Sequence, residues 1–174
     1  MIEKALREND NVLIAIGSTI ESFQPENPFT IGERIQMIDA ALAEAKISPT
    51  KFRIIPVPNI NNYALWPKYV ELSVPPFQTI YTGSKIVREL FETHNRTLKH
   101  PYKIIFIKKE LEISATKVRA LIVKSAKLQE NSNTSRGSKN WEKLVPKSVA
   151  ALLNEWKSTE RLLNIDLRTN EELK

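Results

Sequence analysis

The sequence has 174 residues, with 26 lysines and arginines against 20 aspartates and glutamates, so its formal net charge is +6. That length suits a single domain over residues 1–174, and 41% hydrophobic residues exclude disorder over most of the chain. The absence of cysteine excludes disulfides and thiolate catalysis, and no apolar run approaches the ~18 residues of a membrane helix, so we expect a cytoplasmic protein without a membrane partner.

Short apolar runs alternate with stretches of helical period along the chain. Residues 1–8 have the spacing of a helix, and the first strand is predicted at 12–16 (VLIAI). Further continuous apolar runs, typical of strands buried on both faces, lie at 52–57, 79–81 and 103–107. The alternation predicts a doubly wound, Rossmann-like α/β fold with a parallel sheet.

Four further helices are predicted between and after these strands. The first opens at Thr30 with a capping box to Glu33, and its apolar stripe predicts a face turned toward a sheet. Others are predicted at 84–93 and 116–126, and a last one begins near Pro146. The stripe of the first comprises Ile31, Ile35, Ile38, Leu42 and Ala45, and that of the last comprises Val149, Leu152, Leu153 and Trp156.

Two polar segments interrupt this pattern. Residues 129–140 (QENSNTSRGSKN) lack apolar anchors and predict a surface loop, either a flexible linker or a lid over a site. Residues 164–174 are expected to form a loose tail.

The start of the pattern is unusual for a wound sheet. A helix in such a sheet is the crossover from an earlier parallel strand, but no strand precedes residues 1–8 in the sequence. We therefore expect a parallel sheet that lacks its first strand.

The segment 113–119 (ISATKVR) follows a predicted strand and opens a helix. Hydroxyl groups in a first helical turn lie beside free backbone N–H groups and the positive end of the helix dipole, where phosphate binds well. Arg119, one turn further on, would add a charge-assisted contact. An ordinary N-cap is the alternative interpretation of the same residues.

Several blocks of the sequence, in this order, resemble those of one known family. Residues 113–119 resemble the Ile-Ser-x-Thr-x-x-Arg signature of the nucleotidylyltransferase superfamily, and the rest resembles its archaeal-type nicotinamide-nucleotide adenylyltransferases. The similar blocks are 16–18 (IGS), 27–34 (NPFTIGER), 64–66 (ALW), 75–77 (PPF), 81–84 (YTGS) and 141–146 (WEKLVP), within a resemblance that spans residues 1–163.

The resemblance implies transfer of AMP from ATP to nicotinamide mononucleotide, giving NAD and pyrophosphate, with Mg²⁺ accompanying ATP and no metal site in the protein. It implies catalytic roles for Ser114, Thr116 and Arg119, which would hold the ATP phosphates. It further implies that Trp66 stacks on the nicotinamide ring, a flat contact that suits an indole. The remaining residues so implied are Gly17, Ser18, Gly83 and Ser84 for ATP, and Asn59, Ile60 and Tyr63 for the mononucleotide.

Other interpretations of single residues stay open. Trp66 is also compatible with a core or interface position, and Arg34 either holds a phosphate or pairs with Glu33 or Asp39. His94 and His100, the two histidines of the chain, are expected at the surface.

Two departures from the family pattern carry expectations of their own. The family's Gly-Arg-Phe-Gln-Pro-x-His-x-Gly-His block, whose histidines contact ATP phosphates, is not in the sequence. In the resembling fold it accompanies a strand between those at 12–16 and 79–81, so we expect the chain as given to be inactive and poorly stable. Asn59 and Tyr63 alter the hydrogen-bonding pattern expected around a carboxamide.

Three functions are therefore considered. The first is the adenylyltransferase, with nicotinamide mononucleotide or another phosphorylated substrate, in a homo-oligomer like those of its relatives. The second is a nucleotide-binding protein without catalysis. The third, a nucleic-acid binder, is disfavoured because the basic residues are spread along the chain without an aromatic platform, and we expect no nucleic-acid partner.

Overall fold

Four short strands, paired in parallel two by two, form the β structure of the described residues. A computed structural model describes residues 1–108, 113–131 and 140–172. The strands are β1 (Val12–Ile16), β2 (Phe52–Pro56), β3 (Thr79–Thr82) and β4 (Lys103–Phe106). All four agree with the strands predicted from the sequence to within one residue at the end.

The helices account for the intervening segments. They are α1 (Ile2–Glu8), α2 (Ile31–Glu44), α3 (Trp66–Ser73), α4 (Lys85–Asn95), α5 (Ala115–Asn131), α6 (Lys147–Glu155) and α7 (Ser158–Glu172), with 3-10 turns at Pro49–Lys51 and Asn140–Leu144. The predicted helices α1, α2, α4, α5 and α6 are confirmed, whereas α3 and α7 were not predicted. Of the surface loop predicted at 129–140, residues 129–131 are helical and end α5, residue 140 begins a 3-10 turn, and residues 132–139 lie outside the described residues.

Residues 164–172, for which the sequence predicts a loose tail, are helical and continue α7. Leu162 and Leu163 in its first half are buried. Asp166 then accepts a hydrogen bond of 2.7 Å from the Lys127 ammonium group of α5. The segment is thus helical and is bonded to α5, a part of the chain distant in sequence. Its own polar sequence gives no local signal of this contact.

The strands form two separate two-stranded parallel sheets, β1–β2 and β3–β4. Within the described residues, β1 pairs only with β2 and β3 only with β4. In the first sheet Ile16 lies opposite Pro56, and the Val57 amide donates to the Ile16 carbonyl at 2.8 Å. Because backbone groups alternate in direction along a strand, the nitrogen of Pro56 faces away from β1.

The chain divides into two compact units, and the prediction of one domain over residues 1–174 stays a prediction. The first unit comprises residues 1–19 and 49–108, with both sheets and helices α1, α3 and α4. Its core is formed by Val57, Val70 and Phe91. Phe77 stacks on Tyr102 against this core, with ring centroids 4.6 Å apart.

The second unit is helical within the described residues and comprises 20–48, 113–131 and 140–172. Trp141 and Ile122, each 2% exposed, are central to its core. The predicted capping box is present: Thr30 Oγ1 accepts from the Glu33 amide, and the Glu33 carboxylate accepts from the Thr30 amide. Along α2, Met37 and Ala41 pack on this core, whereas only Leu42 of the predicted stripe is fully buried.

A polar cluster of four residues forms around the Glu71 carboxylate of α3. Its Oε1 atom lies 2.6 Å from His94 Nε2 and accepts a 2.9 Å hydrogen bond from the Tyr102 hydroxyl group. Its Oε2 atom accepts a 2.8 Å bond from Lys68. The expectation that His94 is a surface residue is wrong, because this pairing leaves its side chain 14% exposed.

Burial, hydrogen bonding and charge shift the pKa values of Glu71 and Tyr102 in this cluster. Burial alone would raise the pKa of Glu71, but hydrogen bonds from Lys68, His94 and Tyr102 outweigh it and lower the pKa from 4.5 to about 2. Burial and the Glu71 carboxylate raise the pKa of Tyr102 to about 12.

None of the described helices is both long and apolar enough to cross a membrane.

Candidate active site

In the first unit, the turn that leaves β1 brings two of the predicted site residues into contact. Gly17 and Ser18 follow the last residue of β1, and Ser18 adopts a left-handed backbone conformation with φ of 52°. The Asn59 Nδ2 atom donates to Ser18 Oγ at 2.9 Å, and the Ser18 amide donates to Asn59 Oδ1 at 3.4 Å. Residues predicted for two different substrates are therefore hydrogen-bonded to each other.

The turn that leaves β3 is also built by local hydrogen bonds. Ser84 is the N-cap of α4, with its hydroxyl group accepting from the Val87 amide at 3.3 Å. A β-carbon added at Gly83 would lie 3.3 Å from the Ile107 carbonyl oxygen, so the backbone there runs close to the chain beyond β4. Gly83 and Ser84 thus form a tight strand-to-helix turn, a usual position for phosphate contacts.

The residues predicted for the mononucleotide differ in their exposure within the first unit. Tyr63 is 72% exposed, whereas Ile60 is half-buried. Trp66, the first residue of α3, is also half-buried and packs edge-on against Phe91, with ring centroids 5.8 Å apart. Its indole therefore combines a contact to the core with remaining exposed surface.

In the second unit, the three residues predicted to be catalytic lie together at the start of α5. The Ser114 hydroxyl group caps the helix by accepting from the Lys117 amide at 3.2 Å. One turn on, Arg119 Nη2 donates to Thr116 Oγ1 at 3.3 Å. The structure thus joins two hydroxyl groups and a guanidinium group at the positive end of a helix of 17 residues.

A cavity of about 480 Å³ lies beside this helix start and is lined by residues of the second unit. Its polar lining residues include Ser114, Arg119, Arg34 and Glu26. Its apolar lining residues include Phe29, Val118, Ile122, Val149 and Leu153. Two arginines against one glutamate in the lining, next to a helix N-terminus, favour an anionic ligand.

Arg119 also lines a second cavity of about 620 Å³, which runs between α5 and α7. Thr116 opens onto that cavity, whereas Ser114 lines the first. Its floor is apolar, with Val123, Leu162 and Ile165 among its members. Arg119 is therefore the guanidinium group common to both spaces.

Arg34 lines the cavity, whereas Glu33, one of its alternative partners, contacts an arginine of α7. The Glu33 carboxylate is bound by Arg161 of α7, at 2.7 Å to Oε1 and 2.8 Å to Oε2. Burial lowers the pKa of the Arg34 guanidinium group, while the charge of Glu21 opposes that shift. Arg161 itself carries no signal in the sequence, since nothing distinguishes it from the other basic residues.

Metal ligands are not grouped in the part of the chain that the structure describes. In residues 1–108, 113–131 and 140–172, no three or more histidine, cysteine, aspartate or glutamate side chains are placed to hold a metal ion. The hydroxyl and guanidinium groups at α5 suit phosphate oxygens and not a cation.

The chain is similar in sequence to archaeal enzymes over most of its length. It is 38% identical to the nicotinamide-nucleotide adenylyltransferase of Pyrobaculum aerophilum over 161 residues, which are 92% of this chain and 82% of that protein. It is 37% identical to the protein of the same name from Pyrococcus horikoshii over 167 residues, 94% of this chain and 78% of that protein.

Its fold resembles that of a crystal structure of a bifunctional NMN adenylyltransferase/ADP ribose pyrophosphatase from Francisella tularensis. The TM-score is 0.67 at 18% sequence identity, over 98% of this chain and 48% of that one, so this chain spans about half its length. A second structure of that bifunctional protein, complexed with AMP and a manganese ion, gives a TM-score of 0.61 at 20% identity. The likeness, which concerns the fold alone, confirms the predicted Rossmann-like α/β class.

A family model matches the larger part of the chain as well. Residues 1–121, which include both sheets and the start of α5, match the cytidylyltransferase-like model. With that match and the archaeal relatives, the chain belongs to the cytidylyltransferase-like family, alongside the archaeal nicotinamide-nucleotide adenylyltransferases.

Proposed function

We propose that this protein transfers AMP from ATP to nicotinamide mononucleotide, producing NAD and pyrophosphate. The observation that carries the proposal is the grouping of Ser114, Thr116 and Arg119 at the first turn of α5, beside a cavity that also contains Arg34. The archaeal relatives, whose names state this reaction, support the choice of substrates.

The reaction needs positioning more than covalent help from the protein. A phosphate oxygen of the mononucleotide forms a bond to the α-phosphorus of ATP, and the bond from that phosphorus to the bridging oxygen of pyrophosphate breaks. Negative charge therefore grows on the departing pyrophosphate. Arg119 and the N-terminus of α5 are the groups of this chain that would stabilise it, because both are positive and fixed in place before the reaction.

Mg²⁺ belongs to the same proposal as a companion of ATP. Such ions keep several water ligands and are usually held through substrate phosphates. The donor set at α5 fits this arrangement, since its hydroxyl and guanidinium groups would contact phosphate oxygens that the ion leaves open. When bound, Mg²⁺ would neutralise part of the phosphate charge.

Gly17, Ser18, Gly83 and Ser84 are proposed to contact ATP from the strand ends, and Asn59, Ile60, Tyr63 and Trp66 to contact the mononucleotide. The Asn59 amide group is already hydrogen-bonded to Ser18, which favours a part in shaping the turn as well as in binding. Another phosphorylated substrate is the second candidate, because Asn59 and Tyr63 alter the hydrogen-bonding pattern expected around a carboxamide.

Direct assay separates these possibilities. The 174-residue protein is incubated with ATP, Mg²⁺ and either nicotinamide mononucleotide or nicotinic acid mononucleotide, and dinucleotide and pyrophosphate are measured. Equal amounts of NAD and pyrophosphate with the first substrate would support the proposal and overturn the expectation that the chain as given is inactive. ATP binding by calorimetry without product from any mononucleotide would instead indicate a nucleotide-binding protein without catalysis.

Replacing Trp66 with alanine is expected to raise the KM for the mononucleotide about fivefold to a hundredfold and to change the KM for ATP little. The reason is that stacking of a base on an aromatic ring contributes roughly 1 to 3 kcal/mol. Steady-state kinetics for each substrate measure the effect, with Trp66→Phe as the control that keeps a flat ring. If both KM values rise equally, the contact of Trp66 with Phe91 is its main role.

A further inference from the structure

We infer that Arg161 of α7 is a positioning residue for the anion site, acting through Glu33 to hold Arg34 toward the cavity. This inference rests on the proposed function, since it concerns how the same site binds phosphate. All the residues involved belong to the second unit.

The Arg161 side chain contacts one carboxylate and two aromatic rings. Its Nη1 atom donates to both oxygens of the Glu33 carboxylate, at 2.7 and 2.8 Å. Its guanidinium carbon lies 5.3 Å from the ring centre of Phe23 and 5.5 Å from that of Phe29, distances at which a cation and an aromatic ring attract. The pair is well shielded, with the Arg161 and Glu33 side chains 22% and 17% exposed.

The Glu33 carboxylate also closes the N-terminus of α2. Its Oε2 atom accepts from the Thr30 amide at 2.8 Å and from the Thr30 hydroxyl group at 3.0 Å. The Arg34 amide in turn donates to the Thr30 carbonyl at 3.0 Å. One carboxylate therefore links α7 to the turn from which Arg34 projects.

The aromatic contacts extend this link to the segment before α2, which also lines the cavity. Phe29 lines the cavity together with Asn27 and Pro28, and Phe23 precedes them in a left-handed conformation with φ of 56°. Because Arg161 lies over both rings, it contacts the segment that forms one wall and the helix that carries Arg34. Loss of its guanidinium group would release both at once.

The contacts of the Glu33 carboxylate favour its charged form. Burial alone would raise the pKa of Glu33, but hydrogen bonds from Thr30 and Arg161 and the charge of Arg161 lower it below its ordinary value. Removing Arg161 would leave a shielded carboxylate without its cation, and such a group draws solvent and rearranges.

The test is a double-mutant cycle read out with inorganic tripolyphosphate as the probe. Calorimetry measures its binding to the full-length protein and to Arg161→Met, Arg34→Met and the double variant. We expect about tenfold weaker binding for Arg161→Met in the parent background and little further loss when Arg34 is already methionine. Equal losses in both backgrounds would overturn the inference, because a general structural role does not depend on Arg34.

Two more variants keep the result interpretable. Arg161→Lys keeps the charge but loses the planar donor, so we expect a smaller loss of tripolyphosphate affinity. That loss should again disappear in the Arg34→Met background. This variant tests the inference even if Arg161→Met fails to fold. Glu44→Gln, at the other end of α2, weakens the contact from the Ser148 amide to Glu44 Oε2 at 2.7 Å and should leave tripolyphosphate binding unchanged. An equal loss in Glu44→Gln would overturn the inference.

Arg119→Ala separates this inference from the proposed function. If Arg119→Ala weakens tripolyphosphate binding and Arg161→Met does not, Arg161 is not a positioning residue and the site itself stands. If Arg119→Ala binds the probe like the parent, the proposed phosphate site at α5 is wrong.

Discussion

Replacing Arg119 with alanine is expected to lower the turnover of adenylyl transfer on the order of a hundredfold or more. The guanidinium group lies near the start of α5 and donates a 3.3 Å hydrogen bond to Thr116. At this place it would stabilise the negative charge of the leaving pyrophosphate. Its contact strengthens as that charge grows, so kcat should fall more than affinity for ATP. Initial rates of NAD formation at saturating ATP and mononucleotide measure the effect.

The matched control is Arg168→Ala, which removes an exposed arginine from α7 in the same unit. Thermal melting should show both variants folded, since Arg119 contributes no fully buried surface. Turnover of Arg119→Ala within threefold of the parent would contradict the assignment of residues 113–119 as the phosphate-binding segment.

The second large effect is expected for Glu71→Gln, which should lower the free energy of unfolding at neutral pH by up to about 3 kcal/mol. The folded pKa of Glu71 is about 2, below its ordinary value of 4.5. Its contribution to stability is therefore complete above the unfolded pKa and is lost as the pH falls toward the folded one. The loss corresponds to roughly 6 to 12 °C in melting temperature for a chain of this size.

Melting curves between pH 7 and pH 2 check both the size of this stability difference and the direction in which it changes with pH. The parent should lose stability between about pH 4.5 and pH 2 more steeply than the variant, and the two should converge near the lower limit. Glu92→Gln is the control, since its 3.4 Å ion pair with Arg88 is more exposed than that of Glu71, with the Glu92 side chain 51% exposed. A constant difference between parent and Glu71→Gln at every pH would show that the carboxylate charge is not the source of the effect.

The elements that could be predicted are those with strong local signals. Continuous apolar runs such as 12–16 specify a buried strand wherever they occur, and the Thr30–Glu33 capping box is a contact between residues three apart. The short helix α3 escaped prediction because it has only eight residues and its Leu65 N-cap forms no side-chain hydrogen bond. Helix α7 depends on packing against α5 and α6, which no local pattern encodes.

In the candidate site as well, contacts between residues close in sequence could be predicted, and contacts between distant residues could not. The grouping of Ser114, Thr116 and Arg119 follows from their spacing on one helix, so the sequence alone predicts it. The Arg161–Glu33 pair joins residues 128 positions apart, and the Glu71–His94 pair joins residues 23 apart. Pairing of this kind is set by how helices pack, so neither pair could be predicted from the sequence.

Pro56 makes the two edges of the β1–β2 sheet unequal in their ability to pair with a further strand. A strand laid along the outer side of β2 would meet a proline nitrogen that has no hydrogen to donate, so pairing there would be interrupted. On its other side, β1 presents only apolar residues with intact amide groups, and the described residues place no strand there. Any additional strand, including one from a misfolded neighbour, is therefore directed to β1, where no charge or proline prevents it from pairing.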